Sequence, residues 1–240
     1  MVALILNSGM GSRMGQYTQE HPKCMTELLG EETIISRQLR LISEMGIKEV
    51  VITTGYFNDV LMKYCQDLNL SLHFTFVYNP IYRETNYIYS IYCAREYLAN
   101  KDVLLLHGDL VFEKSVLADI VSFDKSCMKV SSTLPLPNKD FKAVVVNGEV
   151  KKVGVEFFDS AMEAQALYKL NRKQWQLWLD QIVAFCENDQ RKCYAEVALN
   201  TITDACVIQA YDVKDRLCTE IDTMEDWHAV LEKLKLLEDK

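Results

Sequence analysis

The chain has 240 residues, 49% of them hydrophobic, with only 9 glycines and 4 prolines. That is enough to bury a sizeable core in one compact α/β domain, and it excludes collagen-like and disordered chains. The net charge of -8 argues against a nucleic-acid surface, which needs a basic stripe, but leaves room for nucleotide binding through local amides, a few cations and a metal.

Eight cysteines, at 24, 65, 93, 127, 186, 193, 206 and 218, form no CxxC and no metal spacing with histidine. They read as reduced, buried thiols of a cytoplasmic protein. The first nine residues are too short for a signal peptide, and no stretch reaches membrane-spanning length, so no membrane insertion is expected.

Residues 2–6 form an apolar run ending in Asn7-Ser8-Gly9, which predicts a buried parallel strand. Residues 8–23 are rich in glycine and polar side chains. Helical periodicity comes next over 33–45, then a β-branched strand over 50–54, a helix near 57–69, a strand over 72–78 and a helix over 86–99. A fourth strand spans 103–106, with a helix near 115–123.

This alternation predicts an α/β fold, a Rossmann-like, mostly parallel sheet flanked by helices on both faces. Beyond 125 the pattern changes to short strands at 129–134, 142–146 and 150–155, with an Asn147-Gly148 hairpin turn. An amphipathic helix over 173–187 carries Trp175 and Trp178, and a strand near 217–221 leads into a helix over 224–237. The chain reads as a single domain, 1–240. Within it, 1–124 and 205–240 form one part, and 125–204 form a small hairpin and helical insertion.

In such sheets ligands lie beyond the carboxyl ends of the strands, which directs attention to the residues just after 6, 54 and 106. The first such segment is Leu6-Asn7-Ser8-Gly9-Met10-Gly11-Ser12-Arg13-Met14, with Pro22-Lys23 further on. A strand feeding a glycine loop lets backbone N–H groups approach phosphate oxygens, and Arg13 and Lys23 add cations that offset charge on a pyrophosphate leaving group. The alternative is a plain Gly-rich turn with solvated cations. The loop is neither a P-loop nor the dinucleotide fingerprint, since Met14 stands where the third glycine belongs.

The second constellation is His107-Gly108-Asp109, where a carboxylate at a strand end can hold Mg²⁺ against a phosphate or simply occupy a surface turn. The third is Glu220-Ile221-Asp222, where Asp222 reads by default as a helix cap.

Leu6, Gly9, Gly11, Arg13, Pro22 and Lys23 follow the pattern LxxGxGxR…PK, and the chain resembles the nucleoside-triphosphate transferase superfamily, in particular the bacterial phosphocholine and 2-aminoethylphosphonate cytidylyltransferases. The resemblance implies that the loop wraps a triphosphate, that Lys23 contacts the reacting phosphates, and that Asp109 and Asp222 share one Mg²⁺. Asn79, Tyr82 and the run Thr85-Asn86-Tyr87-Ile88-Tyr89-Ser90 are similar to the base and ribose pocket of that family, although Asn86 also suits a helix N-cap. Gly55-Tyr56 and Gly108 fit as well.

The segments Ala166-Leu167-Tyr168-Lys169-Leu170 and Tyr194-Ala195-Glu196-Val197-Ala198-Leu199-Asn200 are similar to acceptor-binding parts of the same enzymes. A choline head group would want an aromatic cage with an anion, for which Tyr168, Trp175 and Trp178 with Glu196 or Glu220 are candidates. Simple helix packing is the plainer account of the two tryptophans. Lys142 stands where a phosphocholine-specific member would place an aromatic, and it offers either a cation for the acceptor's phosphate or phosphonate or a solvated strand-edge lysine.

The expected reaction is Mg²⁺-dependent transfer of a nucleotidyl group from an NTP, with CTP favoured, to a small phosphorylated or phosphonate acceptor. A sugar-1-phosphate acceptor and a non-catalytic nucleotide-binding module are the alternatives, and a homodimer is compatible with the reading. A nicotinamide-dependent oxidoreductase would need the complete glycine fingerprint and an acid after the second strand, where Thr53-Thr54-Gly55 stands instead.

Overall fold

The computed structural model describes residues 1–9 and 18–238. Strands β1 (Val2–Asn7), β2 (Glu49–Thr54), β3 (His73–Tyr78) and β4 (Val103–His107) form a parallel sheet in the order β3-β2-β1-β4. Helices α1 (Ile34–Glu44), α2 (Asn58–Asp67), α3 (Tyr87–Leu98) and α4 (Lys114–Ser122) supply the connections. In β1, Val2, Leu4 and Leu6 face a core shared with α3, whereas Ala3 and Ile5 face a second core shared with α1, α2 and α4. Burial on both faces is why this strand is apolar throughout rather than alternating.

Beyond β4 the sheet becomes mixed. A short strand β5 (Leu110–Phe112) leaves it, and β6 (Cys127–Ser131), β7 (Lys142–Val146), β8 (Glu149–Gly154), β9 (Ala161–Leu170) and β10 (Gln209–Asp212) continue it in the order β4-β9-β6-β10-β8-β7. Strand β7 pairs with β9 as well as β8, so these five strands close into a ring. The parallel character expected from the sequence is therefore confined to β3-β2-β1-β4 and to the β6–β10 pair, and among the described strands of the main sheet β3 alone has a neighbour on one side only. Asn147 and Gly148 both take positive φ, 53° and 78°, as a tight β7–β8 hairpin requires.

The ten-residue strand β9, absent from the expectation, bonds to β4, β6 and β7 along its length. Helix α5 (Arg172–Glu187) packs over the ring, with Asn171 capping it by accepting from Gln174 N at 3.1 Å. Trp175 and Trp178 are fully buried on its inner face. Their indole N–H groups donate to the Leu98 and Ala195 carbonyls, both at 3.0 Å. A short helix α6 (Ala195–Leu199), strand β11 (Cys218–Glu220) and helix α7 (Met224–Glu238) complete the chain. No helix among the described residues is long and apolar enough to cross a membrane.

Trp178 has no exposed surface and its one polar atom is satisfied, so Trp178→Ala should cost about 3–5 kcal/mol of global stability, as large core truncations do. Denaturant unfolding measures this as a fall in midpoint with an unchanged slope.

Candidate functional site

Strand β11 pairs antiparallel with β5, setting Glu220 opposite Leu110, and Ile221 N donates to Asp109 O at 3.1 Å. This small two-stranded unit lies beyond the carboxyl end of β4 and brings a late segment of the chain against an early one. Asp109 and Asp222 thereby flank one cation. Lys23 Nζ lies 2.5 Å from Asp109 Oδ2 and 2.6 Å from Asp222 Oδ1.

Lys23 begins a 3-10 turn, Lys23–Met25, after Pro22, and its neighbour Cys24 is anchored in the core. The helix cap at the start of α7 belongs to Thr223, whose Oγ1 accepts from Asp226 N while Asp226 accepts from Thr223 N. With the cap supplied by Thr223, the Asp222 carboxylate faces Lys23 instead of the helix.

The electrostatics arise from crowding. Burial by itself would lower the Lys23 pKa, but the two adjacent carboxylates outweigh it and hold the ammonium charged. Burial would raise Asp109, but Lys23 and His107 bring it below its ordinary value. His107 Nδ1 lies 2.7 Å from Glu220 Oε1. Burial opposes its protonation, yet Glu220, with Asp109 and Glu196 further off, raises its pKa to about 9. Glu220 itself is raised, by burial and by repulsion from Asp109.

Two sets of ligand atoms converge within 4.8 Å of one another, those of His107, Asp109 and Glu220 and those of Asp140, Glu220 and Asp222. The Lys23 ammonium shows that the Asp109–Asp222 pair accommodates a cation, and these hard oxygen donors suit a divalent one.

Beside this cluster lies a cleft of about 200 Å³. Leu6, Ser8 and Gly9 line it from the end of β1; Asn79, Thr85, Asn86 and Ser90 line it from the segment between β3 and α3 and from α3 itself; His107 and Asp109 close its base. Tyr82 and Tyr87 line it too. Asn79 organises this wall: Nδ2 donates to Thr85 Oγ1 and Ser90 Oγ, at 3.1 and 3.0 Å, and Oδ1 accepts from Ile81 N. Asn86 accepts from Tyr87 N at 2.7 Å, so it caps α3 and faces the cleft at once.

Gly55 and Gly108 allow the β1 end to sit between its neighbours. A Cβ at Gly55 would lie 2.4 Å from Ser8 O, and one at Gly108 would lie 1.7 Å from Asn7 Oδ1. Ser8 Oγ, Asn7 Nδ2 and His107 Nε2 are buried with no hydrogen-bond partner among the described residues. Met10, Gly11, Ser12 and Arg13 lie outside those residues.

The acceptor-side expectations need several corrections. Tyr168, Trp175 and Trp178 form no cage, because all three are fully buried. Tyr168 donates instead to Glu196 Oε1 at 3.0 Å, and the other Glu196 oxygen accepts from Tyr87 Oη, so Glu196 is buried behind Tyr87. Asn200 is committed to β8, accepting from Val153 N and donating to Val153 O, both at 2.8 Å. Lys142 is buried, not solvated, and donates to Pro137 O at 2.6 Å with its ammonium over the Phe158 ring. Glu220 does face the site.

The Phe141 ring packs 6.2 Å from His107 and 5.2 Å from Tyr194, and Tyr87 lies 4.8 Å from His107 and 5.8 Å from Tyr194. Sequence reasoning gave no individual role to Phe141, Tyr194, Asp140 or His107. The one available signal was that Asp140-Phe141 and His107 adjoin residues already singled out.

This geometry sets two expected outcomes. Between about pH 6.5, the ordinary histidine value, and pH 9, the folded protein holds a proton at His107 that the unfolded chain releases. The stabilisation from this pair is thus complete below about 6.5 and fades as pH rises through 9. NMR titration should find one imidazole titrating near 9, and Glu220→Gln should return it to or below the ordinary value. Separately, Gly108→Ala should displace Asn7 and destabilise the fold by about 1–3 kcal/mol, the usual range for overpacking, read as a lowered unfolding midpoint.

Residues 3–126 match the model of the MobA-like NTP transferase domain. Over 97% of this chain and the whole of the relative, the sequence is 26% identical to CTP:phosphoglutamine cytidylyltransferase of Campylobacter jejuni. It is 23% identical to choline-phosphate cytidylyltransferase of Haemophilus influenzae over 98% of this chain and 97% of that one. The fold is also that of CTP:phosphocholine cytidylyltransferase from Streptococcus pneumoniae, with a TM-score of 0.76 and 18% identity over 97% of this chain and 99% of the other. The family match runs from β1 to the doorstep of β6 and takes in the β1 end, Lys23 and Asp109, so this chain belongs to the MobA-like NTP transferases and is a nucleotidyltransferase.

Proposed function

We propose that the chain transfers CMP from CTP to a small phosphate or phosphonate acceptor carrying a cationic nitrogen, of the phosphocholine or 2-aminoethylphosphonate kind. The observation that carries this reading is the convergence of Lys23, Asp109 and Asp222 at the mouth of the β1 cleft. Full-length similarity to cytidylyltransferases supports the choice of CTP and of a phosphorylated acceptor. The rings of Phe141, Tyr194 and Tyr87, with Asp140 and Glu220 close by, support an amine-bearing acceptor, since aromatic faces and carboxylates both attract a cation. In this reading residues 125–204 supply much of the acceptor side and the rest of the chain the nucleotide side.

The acceptor's phosphate or phosphonate oxygen attacks the α-phosphorus of CTP, a new P–O bond forms, and the bond to the β-phosphate breaks to release pyrophosphate. The acceptor anion is already a nucleophile, so no covalent enzyme intermediate is needed and the protein's task is alignment and charge neutralisation. Asp109 and Asp222 would hold a divalent cation, Mg²⁺ in the simplest case, which supplies positive charge to the phosphates when bound. Lys23 would meet the reacting phosphates, with Arg13 its proposed partner in the glycine loop. Leu6, Asn7, Ser8, Gly9, Met10, Gly11, Ser12 and Gly108 would surround the triphosphate, and Asn79, Thr85, Asn86 and Ser90 the base and ribose. The unpartnered Ser8 Oγ, Asn7 Nδ2 and His107 Nε2 are suited to bond a polar ligand there.

Pyrophosphate release from four NTPs, each offered with phosphocholine, 2-aminoethylphosphonate, phosphoethanolamine, glycerol phosphate or a hexose 1-phosphate, tests the reading. CTP with an amine-bearing acceptor should turn over and the rest should lag; turnover with a hexose 1-phosphate alone would replace it by the sugar-phosphate alternative. Lys23→Ala should lower kcat by about 10²–10³-fold with circular dichroism unchanged, and full activity in that variant would refute the role of Lys23.

A further inference from the structure

Glu196 takes no part in the transfer step, yet it is among the most enclosed charged groups of the chain. It is 1% exposed, and each carboxylate oxygen accepts from a tyrosine: Oε1 from Tyr168 Oη at 3.0 Å and Oε2 from Tyr87 Oη. Two hydroxyls donating to two oxygens is the pattern an ionised acid offers. Among the described residues no lysine or arginine pairs with it. Burial raises its pKa above the ordinary value, and His107 and the two hydroxyls act against that rise in favour of the carboxylate.

Of the two tyrosines, Tyr168 is fully buried and Tyr87 lines the cleft. The Tyr87 hydroxyl turns back to Glu196, while its ring lies 4.8 Å from His107 and 5.8 Å from Tyr194. The charge of His107 is answered by Glu220 at 2.7 Å, so Glu196 keeps a negative charge with no cation of its own. A phenol that donates to a carboxylate is polarised by it and gains electron density. Its ring face then attracts a cation more strongly than that of a free tyrosine, and the carboxylate behind it adds attraction in a poorly screened space.

We infer that Glu196 is a positioning residue that sets charge specificity: through the Tyr87 hydroxyl it makes that ring the face on which the acceptor's cationic nitrogen rests. The inference rests on the reading of the acceptor as amine-bearing, and it adds how the amine is told from an uncharged group of the same shape. Glu196 senses the charge of the acceptor without touching it, because Tyr87 stands between them. The second hydroxyl, from Tyr168, holds the carboxylate from the core side, so it cannot swing away from Tyr87 without giving up a buried hydrogen bond.

The test compares each amine acceptor with its carbon isostere: phosphocholine with 3,3-dimethylbutyl phosphate, and 2-aminoethylphosphonate with propylphosphonate, each offered to the full chain with CTP and Mg²⁺. In whichever pair turns over, the unmodified protein should favour the charged member by about ten-fold in kcat/KM. Glu196→Gln keeps the size and removes the charge. It should reduce that preference to about two-fold by raising KM for the charged member, with kcat/KM for the isostere held. Tyr87→Phe keeps the ring and cuts its link to the carboxylate; it should lower the preference in the same way, and it serves if Glu196→Gln fails to fold. Equal losses for both members would make Glu196 a scaffold residue only and overturn the inference, as would an unaltered preference in a folded variant. An unmodified protein that uses both members alike overturns this inference alone, since the phosphate or phosphonate acceptor stands. One that turns over neither pair sinks the reading of the acceptor, and this inference with it.

Discussion

Two carboxylates drawn from distant parts of the chain cannot share a confined, partly buried space without a cation between them, and Lys23 supplies that cation. Removing one member of such a group leaves uncompensated charge, typically at a cost of about 3–5 kcal/mol, so the triad fixes the geometry of this corner. Its assembly depends on backbone pairing. Strand β5 turns away from β4, β11 lies along it, and Ile221 N bonds to Asp109 O. The ammonium thus holds in place the constellation that a divalent cation and phosphates would occupy.

Around this centre the structure separates positioning from contact. Tyr87 lines the cleft, yet its hydroxyl is fixed by Glu196, which in turn is held by Tyr168. Asn79 spends its amide on Thr85, Ser90 and Ile81 rather than projecting it freely. Asn200 clamps β8, and Lys142 ties down Pro137 in the segment leading to Asp140 and Phe141. Glu196, Asn200 and Lys142, which looked like ligands in the sequence, therefore hold neighbouring groups in place.

The parallel half of the fold was legible because its strands are apolar runs buried on both faces, with amphipathic helices between them. The end of β1 and Asp109 drew attention because strand ends in such sheets mark where ligands lie, whereas the pairing of Asp109 with Asp222 was implied by the family resemblance, since Asp222 alone reads as a helix cap. Strand β9 was not legible: Ala161–Leu170 is rich in Ala, Glu, Gln, Leu and Lys, which favour helix, and only its three strand partners make it extended. The tryptophans of α5 were ambiguous for a related reason, since spacing says which residues share a helix face but not what that face meets. Lys142 looked like a ligand because sequence says nothing of the Pro137 carbonyl that holds it.

Helix α1 has a consequence for motion. Gln38 is 1% exposed, and its Nε2 donates to both His107 O and Leu110 O, at 2.9 and 2.7 Å, across the turn that carries Asp109. Lys23 grips the Asp109 carboxylate from the 3-10 turn shortly before the same helix. The stretch from 23 to 44 therefore holds Asp109 at two points, by its side chain and by its flanking backbone, like a bracket bolted at both ends. If Lys23 lets go when a substrate arrives, the bolt at Gln38 remains, so the carboxylate can change its companion without changing its address.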